Sequence, residues 1–283
     1  RVHPSARGSR TRRLAREPVP GVGQVTAPTT SAGSRTRSRS RFLAIVIYTW
    51  QSCIPPKRWF AILLPCAGAL LFGLLARFVN NFPTRERAFA NVASEGIFSL
   101  VMPIAALVIG DSVLGSEVRG GTFHFTWLSP TPTWQIVLGR WVGGSIVALI
   151  TIAPACALAA VIAGAPSAAG PAYIAAAVGS LAYVALFIAI GCLTRRTAAW
   201  SLAIVFLVER LLGAALTGIA QLSPTWESRA IFVGYLDDAP ERLIRAGIPQ
   251  GGAAIVRLTA VTVVALLVAI WRMSHMRLSG AAD

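Results

Sequence analysis

The chain has 283 residues, 55% of them hydrophobic and 13% charged. That leaves too little polar surface to enclose a soluble globule of this size, so the composition excludes an ordinary soluble domain and points to the bilayer as solvent. The net charge of +15 does not describe a nucleic-acid face either: 10 of the 26 basic residues fall within the first 41 positions, where Glu17 is the single acid.

Residues 1–41 are rich in Arg, Ser, Pro and Thr and poor in large apolar side chains, a composition that predicts a disordered basic tail. The first methionine is Met102, and Val25 is a candidate translation start. No apolar stretch follows the basic start before residue 42, which argues against a secretory signal. Residues 42–54 are apolar, with Phe42, Ile45, Val46, Thr49, Trp50 and Cys53 at helical spacing. This run is shorter than the roughly 20 residues needed to cross a bilayer core. It predicts an interfacial helix, closed by Pro55-Pro56 and a basic turn at Lys57-Arg58, so that 42–58 forms one unit.

Six runs long enough to span follow, at 59–78, 96–114, 141–164, 171–193, 198–219 and 253–272. The expected fold is an all-α integral membrane protein whose six-span domain covers 59–277, with a short tail at 278–283. An even number of spans puts both termini on one side. Placing that side in the cytoplasm puts 18 basic residues inside and six outside, Arg77, Arg85, Arg87, Arg229, Arg242 and Arg245. Pro103 and Pro154 fall inside spans two and three, and both predict protein-facing surroundings. Small residues at helical spacing, Gly139 to Gly143 and Ala175 to Gly179, predict close helix contacts. The external stretch 221–252 predicts short helices, one opened by Ser223-Pro224 and one by Asp238-Ala239-Pro240-Glu241 in the form of a capping box.

Catalytic chemistry is poorly supplied. The only lysine, Lys57, is followed by Arg58, so the chain has no phosphate-binding loop of the Gly-Lys-Ser/Thr type. His3, His124 and His275 lie outside the spans, which disfavours a Ser-His protease at Ser145. Ile109-Gly110-Asp111 lacks the first glycine and the partner aspartate of an intramembrane aspartyl protease. Cys53, Cys66, Cys156 and Cys192 show neither a disulfide framework nor a zinc spacing, and no metal site is expected. One ionisable pair, Glu209-Arg210, falls near the middle of the fifth run. Charges at that depth are costly, and the pair reads either as a polar site facing the bundle or a partner, or as a structural hydrogen bond beside a snorkelling arginine.

The polar stretch 111–144, between spans two and three, organises the rest. Within it, Glu117, Gly121-Thr122, Ser129-Pro130 and the run from Ile136 to Arg140 with Gly139 resemble the pattern of ABC type 2 exporter permeases. Phe123-His124-Phe125-Thr126-Trp127 replaces the leucine-rich run usual in that family, and Thr131-Pro132-Thr133-Trp134 stands where a basic residue is common. The layout resembles the family as well, over residues 40–277. The resemblance implies a permease of a bacterial cytoplasmic membrane, without enzyme activity of its own. It implies a second permease subunit and a cytoplasmic ABC ATP-binding subunit that carries ATP and Mg. That subunit would grip a cytoplasmic coupling helix, 116–128, with Glu117, Arg119, Gly120, Gly121, Thr122, Phe123, Trp127, Ser129 and Pro130 transmitting its motion. A non-transporting anchor or assembly partner would share this segment. A secondary transporter would instead need inverted repeats and broken ion-binding helices, and spans one to three do not repeat in four to six.

Overall fold

The computed structural model describes residues 34–53, 56–115, 131–194 and 197–275, and their regular structure is helical throughout. Helix α1 (Ser34–Cys53) takes in the end of the basic stretch, so it begins earlier than its apolar face alone predicts. That face is the packed one: Val46, Thr49 and Cys53 are buried, while Leu43, Ile47 and Tyr48 point away. Helix α2 (Pro56–Phe78) starts at the proline and absorbs Lys57 and Arg58 into its first turn instead of leaving them in a separate turn.

Helix α3 (Arg85–Val92) is capped by Thr84, whose hydroxyl accepts from the Arg87 N–H. It continues through a π-helical stretch, Ala93–Val101, into α4 (Met102–Gly110) and a second π-helical stretch, Asp111–Gly115. The crossing therefore starts about three turns before the apolar run at 96. Helix α5 (Thr133–Ala163) also starts early and ends at Gly164, whose φ of 81° only glycine adopts without strain. A single 3₁₀ turn, Pro166–Ala168, leads into α6 (Ala169–Leu193). Helix α7 (Thr197–Ala203) runs into a third π-helical stretch, Ile204–Leu212, and short turns at Gly213–Ala215 and Thr217–Ala220. Helix α8 (Pro224–Gly234) and α9 (Gly252–Ser274) complete the order.

Among the described residues five helical stretches are long and apolar enough to cross a membrane: Phe60–Phe78, Arg85–Val113, Thr133–Ala163, Pro166–Leu193 and Gly252–Ser274. The fifth expected span is represented by a shorter apolar helix, Ala198–Glu209. Helices α5 and α6 pack along each other at the centre, with α2 and α1 on α5, and α8 and α9 on α6. Lipid tails are as apolar as leucine, so helices associate in a membrane through close packing of small residues and not through water exclusion. The core obeys this: it is dominated by alanine, with Tyr183, Phe89, Phe98, Phe187 and Phe232 as its large side chains. A Cβ on Gly73 would collide with the Ala159 backbone, which fixes how near α2 lies to α5. Gly139 and Gly143 receive Ile45 and Thr49 of α1, and Gly179 lies against Met102 and Ser228, so both predicted small-residue stripes are contact stripes. Pro103 is buried as expected. Pro154 is not: it lies on the exposed side of α5, because the i−4 carbonyl freed by a proline can turn outward as well as inward.

The connections before α3, before α6 and before α9 gather at one end of the bundle. There Ser167 donates to Glu86 Oε2 (2.9 Å), the Arg87 guanidinium pairs with Asp238 (2.6 Å), and Arg77 donates to the Ile162 carbonyl (3.3 Å). Three connections meeting at one end is the alternation that antiparallel crossings produce.

Candidate functional site

The sequence-predicted coupling residues, Glu117, Arg119, Gly120, Gly121, Thr122, Phe123, Trp127, Ser129 and Pro130, lie outside the described residues. Both shoulders of that segment are described, and they are clamped together. Arg140, buried in the first turns of α5, donates from Nη1 to the Val113 carbonyl at 2.6 Å. Gly144, one turn further, takes the Val113 side chain against its backbone. Helix α1 lies across both shoulders, touching the π-helical stretch Asp111–Gly115 and, through Ile45 and Thr49, the glycines of α5. The short apolar run that is too short to span thus braces the ends of the polar segment.

The second polar site is built on a break. The π-helical stretch Ile204–Leu212 gives way to turns after Gly213, and α8 begins at Ser223. Helix α8 belongs to the stretch read from the sequence as an external loop, yet Pro224, Thr225, Glu227, Ser228, Ala230, Ile231, Phe232 and Val233 are buried. Phe232 meets Phe89 edge-on and Phe98 at a tilt, and Ser228 lies against Gly179. A broken helix leaves orphan carbonyls on one side of the gap and orphan N–H groups on the other. Glu209 answers the second set: its Oε2 accepts from the Ser223 hydroxyl (2.8 Å), the Tyr183 hydroxyl (2.5 Å) and the Thr225 N–H (3.4 Å). Tyr183 has one proton and gives it to Glu209, so Thr225 Oγ1 is the donor in the contact between those two hydroxyls. Arg245 answers the first set by donating to the Gly213 carbonyl at 2.7 Å. Trp226 closes the gap, its indole N–H on the Glu209 carbonyl (3.2 Å) and its ring between the guanidiniums of Arg229 and Arg245, 4.7 and 4.5 Å from the centroid.

The charges match the dipoles. A carboxylate at the N-terminus of α8 and a cation at the C-terminal end of the preceding stretch are the favourable placements. Glu209 is 3% exposed and faces the bundle interior; the side chain of Arg210 lies outside the described residues. Each of the three π-helical stretches carries an acid, Glu95, Asp111 and Glu209 respectively. Widened turns of this kind occur mostly where a helix is interrupted for use.

Two acids near the loop end behave in opposite ways. Asp238, expected to cap a short helix, instead accepts from Thr84 (2.7 Å) and from Arg87 Nε (2.7 Å), and these bonds hold its carboxyl below the usual range. The turn that follows, Glu241–Leu243, is a 3₁₀ turn without a side-chain cap, because the Asp238 carboxylate is engaged across the bundle. Glu227 is fully buried in α8, and neither of its oxygens has a hydrogen-bond partner among the described residues. The sequence reading missed both Tyr183 and Glu227. Tyr183 is the only tyrosine inside α6 apart from Tyr173 near its start, which was an available signal; Glu227 carries none beyond its place after Ser223-Pro224. The four cysteines are buried and form no disulfide among the described residues.

A bundle that is all-helical among the described residues, with several helices apolar enough to cross a membrane and an Ala-rich core, is the build of a multi-pass membrane protein. The family model described as ABC-2 family transporter protein matches residues 22–276, and the chain belongs to that family. Membership implies association with an ABC ATP-binding subunit and with the membrane, in a component that is generally not itself an enzyme. No curated protein matches the chain.

Proposed function

We propose that the chain is the membrane-spanning permease subunit of an ATP-driven ABC exporter in a bacterial cytoplasmic membrane. In this reading it makes six crossings, the fifth broken between Ile204–Leu212 and α8, with both termini in the cytoplasm. It works as a dimer of permease subunits, identical or not. A separate cytoplasmic subunit binds ATP and Mg, docks on 116–128, and drives substrate outward.

The observation that supports this most is the clamp on the shoulders of 116–128. Arg140 joined to Val113, with α1 braced across both, means that a push on the intervening segment reaches α4 and α5 together. From α5 it passes to α6 through their shared packing, and so to the Tyr183–Glu209 contact. A chain with no phosphate-binding loop must receive work through such a surface.

The test is Glu117→Ala in the complex with its ATPase, reconstituted in lipid. ATP hydrolysis is expected to persist while transport falls by about tenfold or more, in the usual range of coupling free energies. Unchanged substrate-stimulated turnover sinks the proposal. The broken crossing is the one feature that favours a secondary transporter, whose half-helix ends face ion or substrate. Here Glu209 and Arg245 already occupy those ends. Substrate movement driven by an ion gradient without ATP would select that reading, and ATPase binding without transport would select an anchor or assembly partner.

A further inference from the structure

At the loop end two clefts lie side by side. The first, about 660 Å³, is lined by Arg229, Arg242 and Arg245, with Glu95 as its one acid. The second, about 430 Å³, is mostly apolar and runs between the end of α2 and the stretch Ala93–Val101, past Phe72, Leu75 and Leu100. Asn91, Glu95 and Arg242 line both, so a cationic branch and a greasy branch adjoin at these three residues.

The cationic branch is built before any ligand arrives. Arg242 Nε donates to Asn91 Oδ1 at 2.5 Å, and its guanidinium lies 5.1 Å from the Phe82 ring centroid. Arg245 is held by the Gly213 carbonyl, Arg229 by Glu95 at 2.5 Å, and the Trp226 ring lies between the two. Three long side chains fixed in this way forfeit little further rotamer freedom on binding, which is the usual cost of an arginine site. Three guanidiniums against one carboxylate leave the branch positive, and their planar forks suit phosphate or carboxylate oxygens. The volume lies within the roughly 300–1,000 Å³ range of ligand sites.

We propose that the two adjoining clefts together bind an anionic amphiphile, its phosphate- or carboxylate-type head against Arg229, Arg242 and Arg245 and one alkyl chain along Phe72, Leu75 and Leu100. A neutral amphiphile leaves the arginines uncompensated. A bare anion leaves the apolar branch unfilled. Gly96 shapes that branch: a Cβ there would meet the Phe72 ring at 2.5 Å, so glycine lets the ring lie flat against the helix and form one wall. Glu95 sits where the branches meet and lowers the attraction for an anion. The inference concerns binding by this chain and stands apart from whether the chain transports.

The experiment is titration of the purified full chain in neutral maltoside micelles with dodecyl phosphate, followed by native mass spectrometry and calorimetry. Saturable one-to-one binding is expected, with inorganic phosphate and a neutral alkyl maltoside each weaker by about tenfold or more, as loss of one half of the contact requires. Arg242→Gln is expected to weaken binding about tenfold, the range for a charge-assisted hydrogen bond, and Leu75→Trp to weaken it by filling the tail branch. Both positions are exposed, and unchanged thermal unfolding checks that the fold is intact. Glu95→Gln is expected to tighten binding, a gain that damage to the fold cannot produce. Equal binding of inorganic phosphate overturns the proposal, as does dodecyl phosphate binding indifferent to Arg242→Gln and Leu75→Trp. Phosphatidylglycerol that competes with dodecyl phosphate supports a bilayer lipid as the source of the head and tail. Dodecyl phosphate binding without that competition supports a free amphiphile.

Discussion

Helix α6 and the interrupted stretch beside it solve the same problem in opposite ways. Helix α6 runs unbroken from Ala169 to Leu193, satisfies its backbone internally, and needs from its neighbours only small side chains that let them approach. The stretch from Ile204 through α8 is broken, so its backbone ends need partners from elsewhere in the chain. Glu209, Tyr183, Ser223, Trp226 and Arg245 supply them. The unbroken helix is therefore sensitive to volume and the broken one to chemistry. At Glu209 the cluster of polar groups marks the place where helical continuity has been given up.

That contrast can be broken from either side, and the largest effect is expected at Glu209. Glu209→Ala takes the acceptor away from the Tyr183 and Ser223 hydroxyls and from the Thr225 N–H, at about 1–3 kcal/mol for each buried donor left unmet. Thermal unfolding in detergent should drop sharply, whereas an unchanged midpoint would mean that the break is held by packing alone. Gly73→Leu is the counterpart on the continuous side. It forces α2 away from the Ala159 backbone, and overpacking of this kind costs about 1–3 kcal/mol. If Gly73→Leu is tolerated, close approach is not what holds α2 to α5. Ser223→Ala removes one cap from the broken side and should cost about 1 kcal/mol, measurable by the same melt.

How much of this was legible beforehand differs by site. The face of α1 was readable because Phe42, Ile45, Val46, Thr49, Trp50 and Cys53 repeat at the helical period, and the structure buries Val46, Thr49 and Cys53 from that set. Ser223-Pro224 announced the start of α8 through its capping chemistry. The depth of α8 was hidden, because an 11-residue helix with two charges scores as loop on any hydropathy window, and only its neighbours Phe89, Phe98 and Gly179 draw it into the bundle. Asp238 matched a capping box in its own segment, but Thr84 and Arg87, more than 150 positions away, claimed its carboxylate. A local rule cannot see such a competitor.

By itself the sequence determined the solvent, the helical class, most of the crossings and the family, since these follow from composition, from apolar run length and from a motif contiguous in the chain. Tertiary structure alone decided that Glu209 faces Tyr183 and the start of α8, that Arg140 ties the shoulders of the polar segment, and that three arginines line a cleft beside an apolar one. Each of these depends on partners distant in sequence. Hydrogen bonds and ion pairs form at contact distance, and contact is set by how helices pack against one another, which no single helix encodes.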